Sequence, residues 1–287
     1  MKLLFVNSFE SPDYQNDMLY HGLVNTPGLF VYETAWPGYM LKGYPNPETL
    51  YGRGFTLYAR MGHTPRLCPH WTIEEKIRDR FYDYVIYGSV ARTTTYLDLV
   101  NQVYPKNKIV FVDGEDWPGL SRPALANSGI YFKRELSTPT PNVLPISFSI
   151  PEEHVLSKMP LKTKILADIS PGFDKAYKFE KEQDYYEEYK TSLYGKTSKK
   201  AGFDCLRHYE ILANGCIPLF ERIAEIPSMT MTRFPKETVR KLTEDFSKNA
   251  GCDPNSCEDV ILELLDYTKE NLTTVKEAER FMEAIVS

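Results

Sequence analysis

Long apolar runs are missing from this sequence. Nothing approaches the ~20 consecutive apolar residues that a membrane-spanning helix needs, so no integral membrane segment is expected. The opening run Lys2-Leu-Leu-Phe-Val6 is too short for the core of an export signal and reads as a strand. Positive charge is also in short supply: 34 Lys and Arg face 39 Asp and Glu, for a net charge of -5. That balance argues against general phosphate attraction, and no nucleic-acid partner is expected. Cysteine is scarce and odd in number: Cys68, Cys205, Cys216, Cys252 and Cys257. Cys252 and Cys257 form a C-x4-C pair, but no second pair completes a zinc site. Reduced, buried thiols are the expectation, and they fit a cytoplasmic location. The absence of a G-x-G-x-x-G after the first strand argues against NAD, and there is no P-loop, G-x-S-x-G or H-E-x-x-H. No repeat or low-complexity tract occurs.

What is present suits a globular α/β chain. Its 287 residues, 42% hydrophobic, are enough for two domains. Apolar runs at Lys2–Val6, Leu29–Glu33, Tyr84–Gly88 and Lys108–Val112 predict strands. They alternate with helical stretches at Met18–Val24, after a capping box at Thr72-Ile-Glu-Glu75, and at Tyr96–Val103. Strands that are continuously apolar predict a parallel sheet buried on both faces. Between them, Ala35–Met61 is an irregular, aromatic-rich excursion, which reads either as packing or as an acceptor platform. The Pro-rich segment 138–151 reads as a linker, dividing a domain at 1–140 from one at 141–287. In the second domain, strands are expected at Lys164–Ala167, Ser192–Gly195 and Cys216–Phe220. Helices are expected at Phe179–Lys190, Asp204–Asn214 and about 236–248 and 258–269. A last helix follows the capping box Thr274-Val-Lys-Glu277. Two Rossmann-like parallel sheets facing a cleft, with C-terminal helices, is the predicted fold. Ligands bind such folds outside the carboxyl ends of the strands.

Chemistry is densest between Ser192 and Phe220. On a helical wheel, Cys205, Leu206, Tyr209, Leu212 and Ala213 share an apolar face, while Arg207, Glu210 and Asn214 form a separate polar stripe. The preceding loop carries Lys196, Lys199 and Lys200. With the amide groups of a helix N-terminus, it offers a place for a pyrophosphate. Glu210, two turns in, can accept from a ribose diol, and Arg207 is a planar donor near the phosphate end. The alternative is an Arg207–Glu210 surface pair beside a solvated turn.

This segment resembles the nucleotide-sugar motif of GT-B glycosyltransferases, and more closely that of the exostosin-like group, glycosyltransferase family 47 and its relatives. The resemblance lies in Arg207-His-Tyr-Glu210 before Gly215-Cys-Ile-Pro218, with Pro227, Thr230 and Phe234-Pro-Lys236 downstream. Upstream, Tyr131-Phe-Lys-Arg-Glu135 and Pro145-Ile-Ser-Phe-Ser149 resemble the interlobe segment of stand-alone bacterial and large-virus members. It covers roughly residues 130–236. The resemblance implies a GT-B fold and inverting transfer of a hexosyl or pentosyl group from a nucleoside-diphosphate donor, UDP foremost, to a glycan hydroxyl. It also implies no cofactor and no catalytic metal, since Asp113-Gly-Glu-Asp116 does not match an Asp-x-Asp pair. Charge on the leaving diphosphate then falls to Arg207, the three lysines and, from the opposite lobe, Arg92. Arg92 reads equally well as a surface ion pair.

An inverting transfer also needs a general base from the first lobe. Asp116 beside Trp117 is favoured, since a carboxylate against a ring can have a raised pKa. His21 and Asp13 are the alternates. A nucleotide-sugar hydrolase or epimerase on the same scaffold, or a non-catalytic nucleotide- or glycan-binding module, competes with the transferase.

Overall fold

The computed structural model describes residues 1–67, 69–169, 178–249 and 257–287. Six strands, β1 (Lys2–Val6), β2 (Phe30–Glu33), β3 (Tyr84–Tyr87), β4 (Ile109–Asp113), β5 (Ile130–Lys133) and β6 (Val143–Pro145), form one sheet in the order β2-β1-β3-β4-β5-β6. Every pairing is parallel. The side-chain period of two explains why these strands are apolar throughout. Leu3 and Phe5 face one layer, with α1 (Tyr14–Asn25) and α8 (Thr274–Val286). Leu4 and Val6 face the other, with α2 (His70–Arg78) and α3 (Leu97–Val103). A second parallel sheet joins β7 (Lys164–Leu166), β8 (Ser192–Thr197) and β9 (Ile217–Phe220). It packs with α5 (Leu206–Ala213), α6 (Lys236–Asn249) and α7 (Glu258–Asn271) in one cluster. The tyrosines of α4 (Glu182–Lys190) gather with Ile211 and Cys216 in a separate cluster.

Several expectations need correction. The segment read as a linker contains β6, which pairs with β5, so the first sheet extends past the expected boundary at 140. The last helix does not stay with the second sheet; α8 packs along α1. Gly22 permits that approach, because a Cβ there would stand 2.1 Å from the Thr274 carbonyl oxygen. Buried Leu19, Leu23, Phe281 and Ile285 fill the contact, each side chain contributing about 1.5–3 kcal/mol. The two chain crossings between the units run side by side. The Ile150 amide donates to the Leu272 carbonyl at 3.0 Å, and the Thr274 amide donates to the Ile150 carbonyl at 2.9 Å.

Neither capping box forms as expected. α2 begins at His70, ahead of Thr72, and the Thr72 hydroxyl donates to the Pro69 carbonyl instead. The cap of α8 is Thr273, whose side chain accepts from the Lys276 amide. Cys205 and Cys216 are free thiols, but Cys257 is disulfide-bonded. An odd count guarantees one unpaired thiol and says nothing about the other four. Cys68 and Cys252 lie outside the described residues. No described helix is long and apolar enough to cross a membrane.

Candidate functional site

In the first sheet the strand order reverses between β1 and β3, where a doubly wound fold opens a crevice beyond the strand ends. Here the chain's own side chains fill that position. Asp13 caps α1, accepting from the Asn16 amide at 3.2 Å and from the Ser89 hydroxyl at 2.8 Å. Arg92 donates to the Ser11 and Pro12 carbonyls at 2.6 and 2.9 Å and pairs with Asp13 at 3.2 Å. A Cβ on Gly88 would lie 2.2 Å from Asn16 Oδ1. Asp13 and Arg92 are therefore committed to tying two loops together, and neither lines the main cavity. His21 is also away from it. Its Nδ1 lies 2.8 Å from the Thr274 hydroxyl in the α1–α8 contact, and burial lowers its pKa. The periodicity placed His21 correctly on a helix but could not show that a helix from the far end of the chain covers it.

The main cavity measures 680 Å³ and lies where the two units meet. Tyr14, Tyr51 and Phe55 line it from the first unit, and Lys199, Arg207 and Glu210 from the second. Two of the three residues of the polar stripe read from the helical wheel, Arg207 and Glu210, thus face the cavity; Asn214 does not, and Cys205 and Leu206 from the expected apolar face line it too. His208, on the opposite side of α5, is locked inward. It accepts from Thr197 at Nδ1 and donates to the Phe203 carbonyl from Nε2, both at 2.8 Å, and burial lowers its pKa to about 3. That anchor fixes the rotation of the helix and so aims Arg207 and Glu210. No side chain caps α5, and Cys205, Leu206 and Arg207 at its start line the cavity. Among the described residues, Arg207 Nε is buried without a hydrogen-bond partner.

Glu210 is buried, and burial raises its carboxyl pKa against the opposing pull of two hydroxyl bonds and Arg207. Oε1 accepts from the Thr56 hydroxyl at 2.5 Å and Oε2 from the Tyr185 hydroxyl at 2.6 Å. Burial, then the nearby Glu210, pushes the Tyr185 and Tyr186 phenols well above their ordinary range, so both remain donors. Of the loop lysines, Lys199 and Lys200 line the cavity, and Lys200 donates to the Tyr51 hydroxyl at 2.8 Å. Lys196 is exposed on β8 and lies outside it. The loop amides are only partly open to a ligand. Glu135 already accepts from the amides of Phe203 and Asp204, at 3.0 and 2.8 Å. Its carboxylate sits so close that a Cβ on Gly202 would fall 2.5 Å from Oε1.

Asp116 lines the cavity, but its setting is not the expected one. Trp117 is half exposed and gives no cover; the Asp116 side chain is 57% exposed and ion-paired with Arg134. Arg134 is fully buried, with its guanidinium 4.4 Å from the Phe148 ring centroid. It also donates to the Gly114 carbonyl at 3.0 Å, to Glu135 at 2.9 Å and to the Asp204 carbonyl at 2.7 Å. A third carboxylate lining the cavity, Asp204, enters the sequence reading only as the start of a helix. It accepts from the Phe148 amide at 2.7 Å and the Tyr209 hydroxyl at 2.9 Å. Burial pushes its pKa up to about 7, against the pull of Arg134. Thr56, Tyr185 and Tyr186 were missed as well. Only the aromatic density of the excursion and of α4 hinted at them.

Fold and site together define a mixed α/β protein of two parallel sheets, with a polar and aromatic cavity at their junction. No family model matches the chain, and no curated protein matches it.

Proposed function

We propose that the chain is an inverting glycosyltransferase of GT-B type, moving a sugar from a nucleoside-diphosphate donor, UDP foremost, to a glycan hydroxyl without a catalytic metal. One observation carries this reading: Arg207 and Glu210, one turn apart on α5, line the same 680 Å³ cavity. Arg207 then takes the diphosphate at the uncapped start of α5, where helix amides favour an anion, with Lys199 and Lys200 beside it. Glu210 takes the ribose diol, and the aromatic walls suit a base and a sugar ring. These cations stabilise charge on the departing diphosphate in the role a metal fills elsewhere. The acceptor enters from the first unit. Its hydroxyl proton goes to Asp116, the one expected base that lines the cavity. UDP titrated calorimetrically, followed by UDP-sugar turnover with and without a glycan acceptor in EDTA, tests the proposal. Binding with acceptor-dependent, EDTA-resistant turnover supports it; loss of turnover on chelation contradicts the metal-free step.

A second reading, a nucleotide-binding module without transfer, is favoured by the pairing of Asp116 with Arg134, which leaves the base already engaged. UDP binding with no turnover on any sugar donor is its signature.

A further inference from the structure

We infer that Thr56, a residue of the first unit, is a positioning residue for Glu210, so that the ribose subsite is complete only when both units contribute to it. The inference rests on the proposed contact between Glu210 and the ribose diol. Thr56 belongs to the excursion between β2 and α2, more than 150 positions before Glu210 in the chain. Each of its polar atoms is held by the other side of the cavity. Its amide donates to Glu182 at 2.5 Å, and its carbonyl accepts from His154 Nε2 at 2.7 Å. Its hydroxyl donates to Glu210 Oε1 at 2.5 Å, and so must accept from the Tyr186 hydroxyl that contacts it. The backbone there is costly for a β-branched residue, with φ at +73°, a conformation that persists only where surrounding contacts enforce it.

A glutamate carboxylate otherwise turns freely about its last torsion. Thr56 on one oxygen and Tyr185 on the other fix its plane. Each oxygen keeps a second lone pair for a ligand, in a side chain that lines the cavity. A diol donating to both oxygens meets an acceptor already oriented. Lacking the Thr56 hydroxyl, the carboxylate would have to be ordered at the expense of binding.

The test is calorimetry on the full chain with two ligands, UDP and 2′,3′-dideoxy-UDP, using Thr56→Val and Thr56→Ser. The parent should prefer UDP over the dideoxy analogue by about tenfold or more, the scale of one hydrogen bond. Thr56→Val should weaken UDP about tenfold, leaving the dideoxy analogue unchanged, and Thr56→Ser should restore the preference. Should Thr56→Val fail to fold, Tyr185→Phe removes the other hydroxyl without touching the excursion and should show the same selective loss. Equal weakening of both ligands means that the residue only anchors the fold, and tighter UDP binding means that its hydroxyl competes with the ligand. Either result, or no change at all, overturns the inference. A parent that binds UDP and its dideoxy analogue equally well removes the ribose contact itself, and the inference with it.

Discussion

Arg134→Met removes a buried guanidinium and keeps most of its apolar stem. The substitution cancels four donor contacts: to the Gly114 and Asp204 carbonyls and to the Glu135 and Asp116 carboxylates. They are not equal. Asp116 is 57% exposed, and an ion pair there contributes less than about 1 kcal/mol. Glu135 is buried at 4% exposure, and its charge would lose its arginine partner while keeping the two loop amides. Breaking a buried pair from one side costs about 3–5 kcal/mol, and the carbonyls of half-buried Gly114 and buried Asp204 lose a donor in addition. The expected loss is therefore about 4 kcal/mol, read as a drop in unfolding free energy by urea denaturation. Asp116→Asn is the control, since it touches only the exposed arm of the same cluster and should cost under about 1 kcal/mol. A loss below about 1 kcal/mol for Arg134→Met would refute the reading of Arg134 as the buried charge partner of Glu135.

Glu210→Ala should weaken UDP by about 1.5–3 kcal/mol, the scale of hydrogen bonds to a charged group; unchanged affinity in a folded variant removes the ribose assignment. Asp116→Asn should bind UDP like the parent but transfer sugar about 10²–10⁴-fold more slowly; a rate above about a tenth of the parent's moves the base elsewhere, with Asp204 next in line. Burial first, and then the neighbouring Asp13 charge, pushes the Asp17 carboxyl from 3.8 up to about 7. An acid raised on folding stabilises fully below its unfolded pKa, and that stability is lost as pH rises through the folded value. The Asp17 contribution to stability should therefore fall between about pH 4 and pH 7, by on the order of 4 kcal/mol for such a shift, alongside a like contribution from Asp204 and an opposite one from His208. The stability difference between the parent and Asp17→Asn should carry that slope, which urea titrations of both across the range would show; a difference independent of pH would rule out Asp17 as a source.

Continuous apolar runs made β1, β3 and β4 legible, because a strand buried on both faces has no polar alternation to disguise it. β5 escaped notice because Ile130-Tyr-Phe leads straight into Lys133, Arg134 and Glu135. Those charges interrupt the apolar run yet are buried, with Lys133 paired to Asp113 at 3.0 Å. Partners 20 positions apart leave no mark on local composition. The same holds for the site. The stripe of Arg207 and Glu210 follows from helical period alone, and the cavity falls on it. Thr56, Tyr185 and Asp204 depend on which segments the fold brings together. His21, Asp13 and Arg92 had suitable chemistry at suitable strand ends, but tertiary contacts use it up.

Two strands of chain cross between the units, and backbone bonds from Ile150 to Leu272 and Thr274 hold them side by side. Bodies joined by one tether can swivel about any axis. Here a swivel would have to break the bonds between the two crossings. The Thr56–Glu210 contact joins residues 154 positions apart across the same junction, so the crossings hold in register a cavity wall that no single segment of the chain could build.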